Sequence, residues 1–212
     1  MALRTLPFRQ YNETDVINMF AMGTGFINES VTDSGNGDAG VFVTVESGNL
    51  NLDTIVYDSA YDSYLGKTNY PHVGVNQYPR VSLSLKPATS GDALVGLTLR
   101  QTAKTDENGE KLLYYPQKAE ELMCMLPGQS VPVVKRGVFT LAASAFAGSV
   151  VPGVGSGIKL PSGVSGKVTG CTNADANKIG SVLATGSRTA SVSTANLSDP
   201  LTGSYAMVYL GL

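Results

Sequence analysis

The sequence predicts a mainly β protein: a β-barrel or sandwich in the C-terminal region, preceded by a β-meander with one or two short helices and an extended N-terminal arm. Three observations carry that prediction. Short runs of apolar residues with period 2 recur along the chain, as in Val81, Leu83, Leu85 and in Val95, Leu97, Leu99. Turn clusters separate these runs, and 24 of the 212 residues are Gly and 10 are Pro. Only one stretch, Pro116 to Leu126, carries a good helical pattern.

The chain opens with an arm, Ala2 to Tyr11, held extended at Leu6-Pro7-Phe8 because a residue before proline is pushed out of the α region. Asn12 is placed to cap a short helix whose first turn holds Glu13 and Asp15 at the positive end of its dipole. Val16, Ile17, Met19 and Phe20 cover too wide an arc for a surface stripe, so this turn must bury itself. Gly23 and Gly25 end it. Asp33-Ser-Gly-Asn-Gly-Asp38 is a turn, and Val41 to Val45 and Asn51 to Tyr57 are strand candidates.

A hairpin is expected between Val81–Leu85 and Val95–Leu99, turning at Pro87 to Asp92. A second is expected at Asn108-Gly109, returning through Lys111 to Tyr115, because both central positions of that turn need positive φ. Together they would form a three-stranded meander. Pro116 starts the helix over 116–126, and Pro127-Gly128 ends it. After Val131 the expected strands are 131–134, 138–141, 163–168, 179–184, 190–195 and 205–210. The expected organisation is an arm and short helix over 1–25, a meander domain over 26–128 and a small barrel-like domain over 129–212.

Charged residues are 15% of the chain, well under the usual quarter. Such a surface of hydroxyls and backbone suits burial against neighbours. The net charge of −2 is unevenly spread: residues 1–66 carry −7, 67–136 carry +3 and 137–212 carry +2. That split favours head-to-tail association of copies and gives no field for nucleic acid. No apolar stretch matches a signal peptide or membrane helix, so the expected site of synthesis is the cytoplasm, with no membrane partner.

The residues offer little chemistry. The one histidine, His72, follows Pro71 in a loop, and no Gly-x-Ser-x-Gly elbow supplies a nucleophile. Gly66-Lys67-Thr68 ends like a phosphate loop, but Tyr61 stands where the first glycine belongs. Gly153-Val-Gly155 lacks the third glycine of a dinucleotide fingerprint, with Ile158 in its place. Asp33 to Asp38 offers hard oxygen ligands, yet departs from the EF-hand pattern and reads better as a turn. Cys124 and Cys171 have no metal-site or disulfide-framework spacing. No catalysis, cofactor or metal is expected.

Recognition by protein contact is expected instead. Tyr57, Tyr61, Tyr64, Tyr70 and Tyr78 form a cluster suited to an interface, since tyrosine buries a large area and keeps a polar tip. Asp58 and Asp62 among them would repel a phosphate backbone. The candidate interface residues are Leu6, Phe8 and Tyr11 of the arm, Val16 and Phe20 of the short helix, and Tyr57, Tyr61 and Tyr64.

Two segments resemble capsid decoration (cement) proteins and related virion structural proteins of tailed phages. One is Leu6-Pro-Phe-Arg-Gln-Tyr-Asn-Glu-Thr-Asp-Val-Ile-Asn-Met-Phe20. The other is Ile179-Gly-Ser-Val-Leu-Ala-Thr-Gly186 followed, after a polar loop, by Tyr205-Ala-Met-Val-Tyr-Leu210. Together they cover about a fifth of the chain. The resemblance implies a homo-oligomer, with a trimer favoured, on the outer capsid surface of the virion. Its partner would be the major capsid protein, whose lattice it would clamp by many weak contacts. A tail, fibre or baseplate component is the alternative, lowered by the absence of a long fixed-period repeat. A carbohydrate-binding module using the tyrosine loop is a third reading, weakened by the absence of Trp.

Overall fold

A computed structural model describes residues 4–46, 83–188 and 202–211. In chain order its first strands are β1 (Thr5–Gln10), β2 (Val16–Ile17), β3 (Ala21–Met22), β4 (Asn28–Ser30) and β5 (Phe42–Val45). Next come β6 (Ser84–Pro87), β7 (Gly96–Thr98), β8 (Gln101–Thr105), the helix α1 (Pro116–Glu121) and β9 (Cys124–Met125). The rest are β10 (Val133–Val134), β11 (Arg136–Ala142), β12 (Gly157–Lys159), β13 (Thr169–Cys171), β14 (Gly180–Arg188) and β15 (Gly203–Gly211). The fold is mainly β, as the alternating runs and turn clusters imply.

Three sheets result. The first is antiparallel in the order β1-β11-β15-β14-β12-β13. The second runs β2-β10-β7-β5-β6-β3, with only the β3–β6 pair parallel. The third is a small parallel sheet, β4-β8-β9. The second sheet curls, because β2 and β3 at its two ends belong to one segment, 16–22, and the Val131 amide donates to the Phe20 carbonyl at 2.8 Å. No closed barrel forms among the described residues, and the expected barrel region is an open antiparallel sheet.

The second sheet is buried on both faces, which explains its near-continuous apolar strands. Phe42, Leu97 and Val134 face the first sheet and pack with Phe139, Leu141, Phe146, Ile158, Val208 and Leu210. Their sequence neighbours Val41, Val43 and Val133 point the other way and pack with Phe20, Met22 and Leu85. A third cluster, Val31, Ala103, Leu112, Ala119, Cys124 and Leu126, seats α1 on the parallel sheet. Hydrogen bonding crosses the expected boundaries at 25 and 128, since β1 pairs with β11, and β2 and β7 both pair with β10.

The arm is extended, as expected, and forms the edge strand β1, with Arg9 opposite Phe139 and Gln10 opposite Val138. Several other local expectations are corrected. Asn12 does cap, its side chain accepting from the Thr14 amide at 3.1 Å. Only one 3-10 turn, Glu13–Asp15, follows, because β-branched Val16 and Ile17 pair with Val134 and Val133. The hairpin expected of the 81–85 and 95–99 runs does not form among the described residues: β5 lies between β6 and β7 and pairs with both. The chain does turn at Asn108-Gly109, with the Asp106 amide on the Glu110 carbonyl at 2.9 Å, but only Gly109, at φ +84°, has the positive φ expected of both central residues. The returning strand is reduced to a single bridge, Lys111 opposite Thr105, because Leu112–Tyr114 is a 3-10 turn, so no meander forms.

The helix over 116–126 stops at Glu121, because Cys124 and Met125 pair with Gln101 and Thr102 and draw the chain into a strand. Farther on, β12 occupies 157–159 and β13 occupies 169–171, in place of one strand over 163–168. β14 and β15 are longer than the expected 179–184 and 205–210. The expected strands over 51–57 and 190–195 lie outside the described residues.

Candidate functional site

The segment following β1 builds one wall of an open groove of about 760 Å³. Tyr11, Glu13, Val16 and Asn18 come from this segment, and Arg9 from the end of β1. Leu99, Arg100, Met123 and Met125 form the opposite side. Tyr11 is fixed by stacking on buried Phe139, ring centroids 6.0 Å apart and planes 16° from parallel. Val16 is fixed by its place in β2. The Arg9 guanidinium reaches the Leu99 carbonyl at 3.5 Å, so the two walls are tied across the groove.

Met123 is the unusual residue here. It follows α1 with φ +49°, a left-handed conformation that a helix C-terminus normally assigns to glycine. Its amide donates to the Glu120 carbonyl at 3.0 Å, and its side chain is 46% exposed over the groove. Two contacts hold the conformation: Gln101 Nε2 donates to the Leu122 carbonyl at 2.9 Å, and β9 pairs with β8 immediately afterwards. The cost of a left-handed non-glycine residue concentrates at positions where the side chain is used. Beside it, Arg100 donates to Glu120 at 2.9 Å, with its guanidinium 3.7 Å from the Met125 sulfur. The groove is thus lined by two thioethers and two guanidiniums, a combination that suits an apolar protein segment bearing carbonyls or carboxylates.

Of the candidate interface residues, Tyr11 and Val16 meet in this groove. Phe8 is 67% exposed on β1, and Leu6 is half-buried on the same strand. Phe20 belongs to the core, only 9% exposed against Met22, Val43 and Leu85. Tyr57, Tyr61 and Tyr64, with Tyr70, Tyr78 and His72, lie outside the described residues. Arg9, Arg100, Met123 and Met125 escaped the sequence reading.

Other polar clusters are occupied structurally. Asp38 accepts from Arg4 Nε at 3.2 Å, from Asn28 Nδ2 at 2.8 Å and from the Gly35 amide, so the 33–38 loop is a turn organised on a buried ion pair. Asp106 accepts from Lys118 and from the Asn108 and Glu110 amides, and these bonds hold its carboxyl below the usual range. No group of three or more His, Cys, Asp or Glu residues among the described residues is placed to hold a metal ion. Burial pushes the Cys124 thiol up to about 11, and burial together with Asp175 pushes Cys171 up, so neither is held as a thiolate. No helix among the described residues is long and apolar enough to cross a membrane. Comparison with protein-family models, with curated proteins and with solved structures finds no match.

Proposed function

We propose that the chain is a structural protein of a tailed-phage particle that binds the outer surface of the capsid and stabilises the lattice of major capsid protein. The observation that carries this reading is that the segment Leu6 to Phe20, one of the two bearing the phage resemblance, is also the segment that lines the groove. A mainly β fold and a charge-poor chain support a role in lasting protein contacts. In this reading the groove receives an extended apolar segment of the capsid protein, and repetition over the lattice multiplies a modest single-site affinity.

The test is occupancy of purified capsids by added protein. Met123→Lys and Arg100→Glu alter the groove at exposed or half-exposed positions and leave β1 in place. Each is expected to lower occupancy while the protein stays folded. Full occupancy by both variants would remove the groove from the reading, and failure of the unaltered protein to bind capsids would remove the reading itself. Deleting residues 2–22 is a poor test, because it strips β1, β2 and β3 from two sheets.

A further inference from the structure

The chain holds two Asn-Gly dipeptides, Asn36-Gly37 and Asn108-Gly109, both in turns. Such a dipeptide carries its own chemistry. The glycine nitrogen lies one ring closure away from the asparagine side-chain carbonyl carbon, and with no Cβ beside it that nitrogen is unshielded. Whether the ring closes depends on what holds the glycine amide and on the room around it. The two sites differ in both respects.

Gly37 is locked. It is buried, its amide donates to Asn28 Oδ1 at 3.1 Å, and its carbonyl accepts from the Thr102 amide at 2.7 Å. Asn28 is held in turn, its Nδ2 donating to Asp38 at 2.8 Å. A Cβ on Gly37 would stand 2.5 Å from the Thr102 carbonyl oxygen and 2.7 Å from the Asn28 nitrogen, so this peptide has no room to rotate. Presenting its nitrogen to Asn36 would break into the buried network around Asp38. Gly109 is open. Asn108 and Gly109 are both exposed, and a Cβ on Gly109 would meet nothing within 4 Å. The Gly109 amide donates to the Asp106 carbonyl at 3.3 Å, longer than the usual range.

We propose that Asn108 is a site of spontaneous deamidation, and that its isoaspartyl product releases the turn from Asp106. The Gly109 nitrogen attacks Asn108 Cγ and forms a C–N bond. It loses its proton to solvent, and the side-chain nitrogen leaves with a proton from solvent as ammonia. The resulting succinimide takes up one water. Hydrolysis at the side-chain carbonyl restores the normal backbone as aspartate. Hydrolysis at the main-chain carbonyl leaves the chain running through Cβ and Cγ, one methylene longer, with a free carboxylate on Cα. Nothing is oxidised or reduced.

That methylene falls between two amides fixed to one acceptor. The Asn108 and Glu110 amides both donate to Asp106 Oδ1 at 2.8 Å, and Asp106 also accepts from Lys118 of α1. A longer chain between the two amides takes one of them off the carboxylate. The new charge stands beside Glu107 and Glu110 and opposes its return. The change needs no partner and does not depend on the capsid reading.

The full chain kept for days in mildly alkaline buffer at physiological temperature, folded and in parallel in denaturant, tests this. Tryptic peptides are then read by mass spectrometry with fragmentation that separates isoaspartate from aspartate. In the folded chain Asn108 should convert about tenfold or more faster than Asn36, with isoaspartate among the products, because the buried bonds at Gly37 must open first. In denaturant the two sites should convert at similar rates. Asn108→Gln, whose cyclisation needs a larger ring, should stay unmodified over the same period. The Glu110 amide should exchange its hydrogen faster in the aged chain than in equally aged Asn108→Gln. Equal rates at the two sites in the folded chain overturn the inference, as does an intact Asn108 when the denatured sample has converted. A difference that persists in denaturant overturns it too, since it would owe nothing to the fold. So does isoaspartate at position 108 that leaves Glu110 exchange at the level of the variant.

Discussion

Replacing Arg4 by methionine should destabilise the fold by about 3–5 kcal/mol, the cost of leaving a buried charge without its partner. The side chains of Arg4 and Asp38 are only 6% and 4% exposed. Arg4 Nε donates to Asp38 at 3.2 Å, Nη2 to the Gly35 carbonyl at 2.8 Å and Nη1 to the Gly166 carbonyl at 3.4 Å. One side chain therefore joins the start of β1, the 33–38 turn and the loop before β13. Burial pushes Asp38 up and Arg4 down, against their mutual attraction, so the pair as a whole is no large source of stability. The penalty comes from the orphaned carboxylate and two carbonyls that lose a donor.

For a chain of this size, 3–5 kcal/mol corresponds to a fall in Tm of about 6–20 °C. Thermal and urea denaturation at pH 7 would measure it. The pH dependence adds a sign. A carboxyl whose folded pKa is raised binds its proton more tightly in the folded state, so its contribution favours folding at low pH and is lost as pH rises through that value. The Arg4→Met deficit should therefore shrink on acidification. A Tm change under about 2 °C, or a deficit that grows as pH falls, would refute the reasoning.

Met123→Gly should leave stability unchanged or raise it by up to about 1 kcal/mol, because glycine takes the left-handed position without strain. The same change should lower capsid occupancy; a marked loss of Tm would show that Met123 is a packing residue. Asp106 is held below the usual carboxylate range and Lys118 above its own by their mutual hydrogen bond. Their contribution is present between the ordinary values of about 3.9 and 10.4, and is lost as pH falls through the depressed value or rises through the raised one. Asp106→Asn should flatten the acid limb of a stability–pH curve below about pH 4, and an unchanged limb would count against the pair.

Cys124, 2% exposed with its thiol pushed up to about 11, should resist iodoacetamide at pH 8 until the protein unfolds, while half-buried Cys171 reacts slowly. Mass spectrometry of the native protein should find at most one modified thiol. Gly96→Ala should destabilise strongly, since its Cβ would stand 2.3 Å from the Val134 carbonyl oxygen in the paired strand. An expression level and Tm equal to the unaltered protein would contradict that packing.

Local chemistry was legible without any partner in view. Alternation marked β15, where one face is buried, and apolar runs marked β5 and β7, whose two faces are both covered. Asn12 acted as a cap and Asn108-Gly109 as a turn, since both depend only on atoms within four residues. Pairing was not legible. Val81–Leu85 and Val95–Leu99 look like two arms of a hairpin, yet β5 separates them, because hydrogen bonding in a curled sheet is decided by which faces can be buried together. The helix was legible in its start and not its end: Pro116 acts locally, whereas Glu121 is terminated by a pairing with β8, about twenty residues away.

The site divides the same way. The sequence by itself determined a charge-poor, mainly β chain and singled out Tyr11 and Val16. Tertiary structure alone decided that Phe20 is core and that Arg100, Met123 and Met125 line the same groove as Tyr11. The physical reason is that apolar character can be read residue by residue, whereas exposure depends on which elements the folded chain packs above each residue.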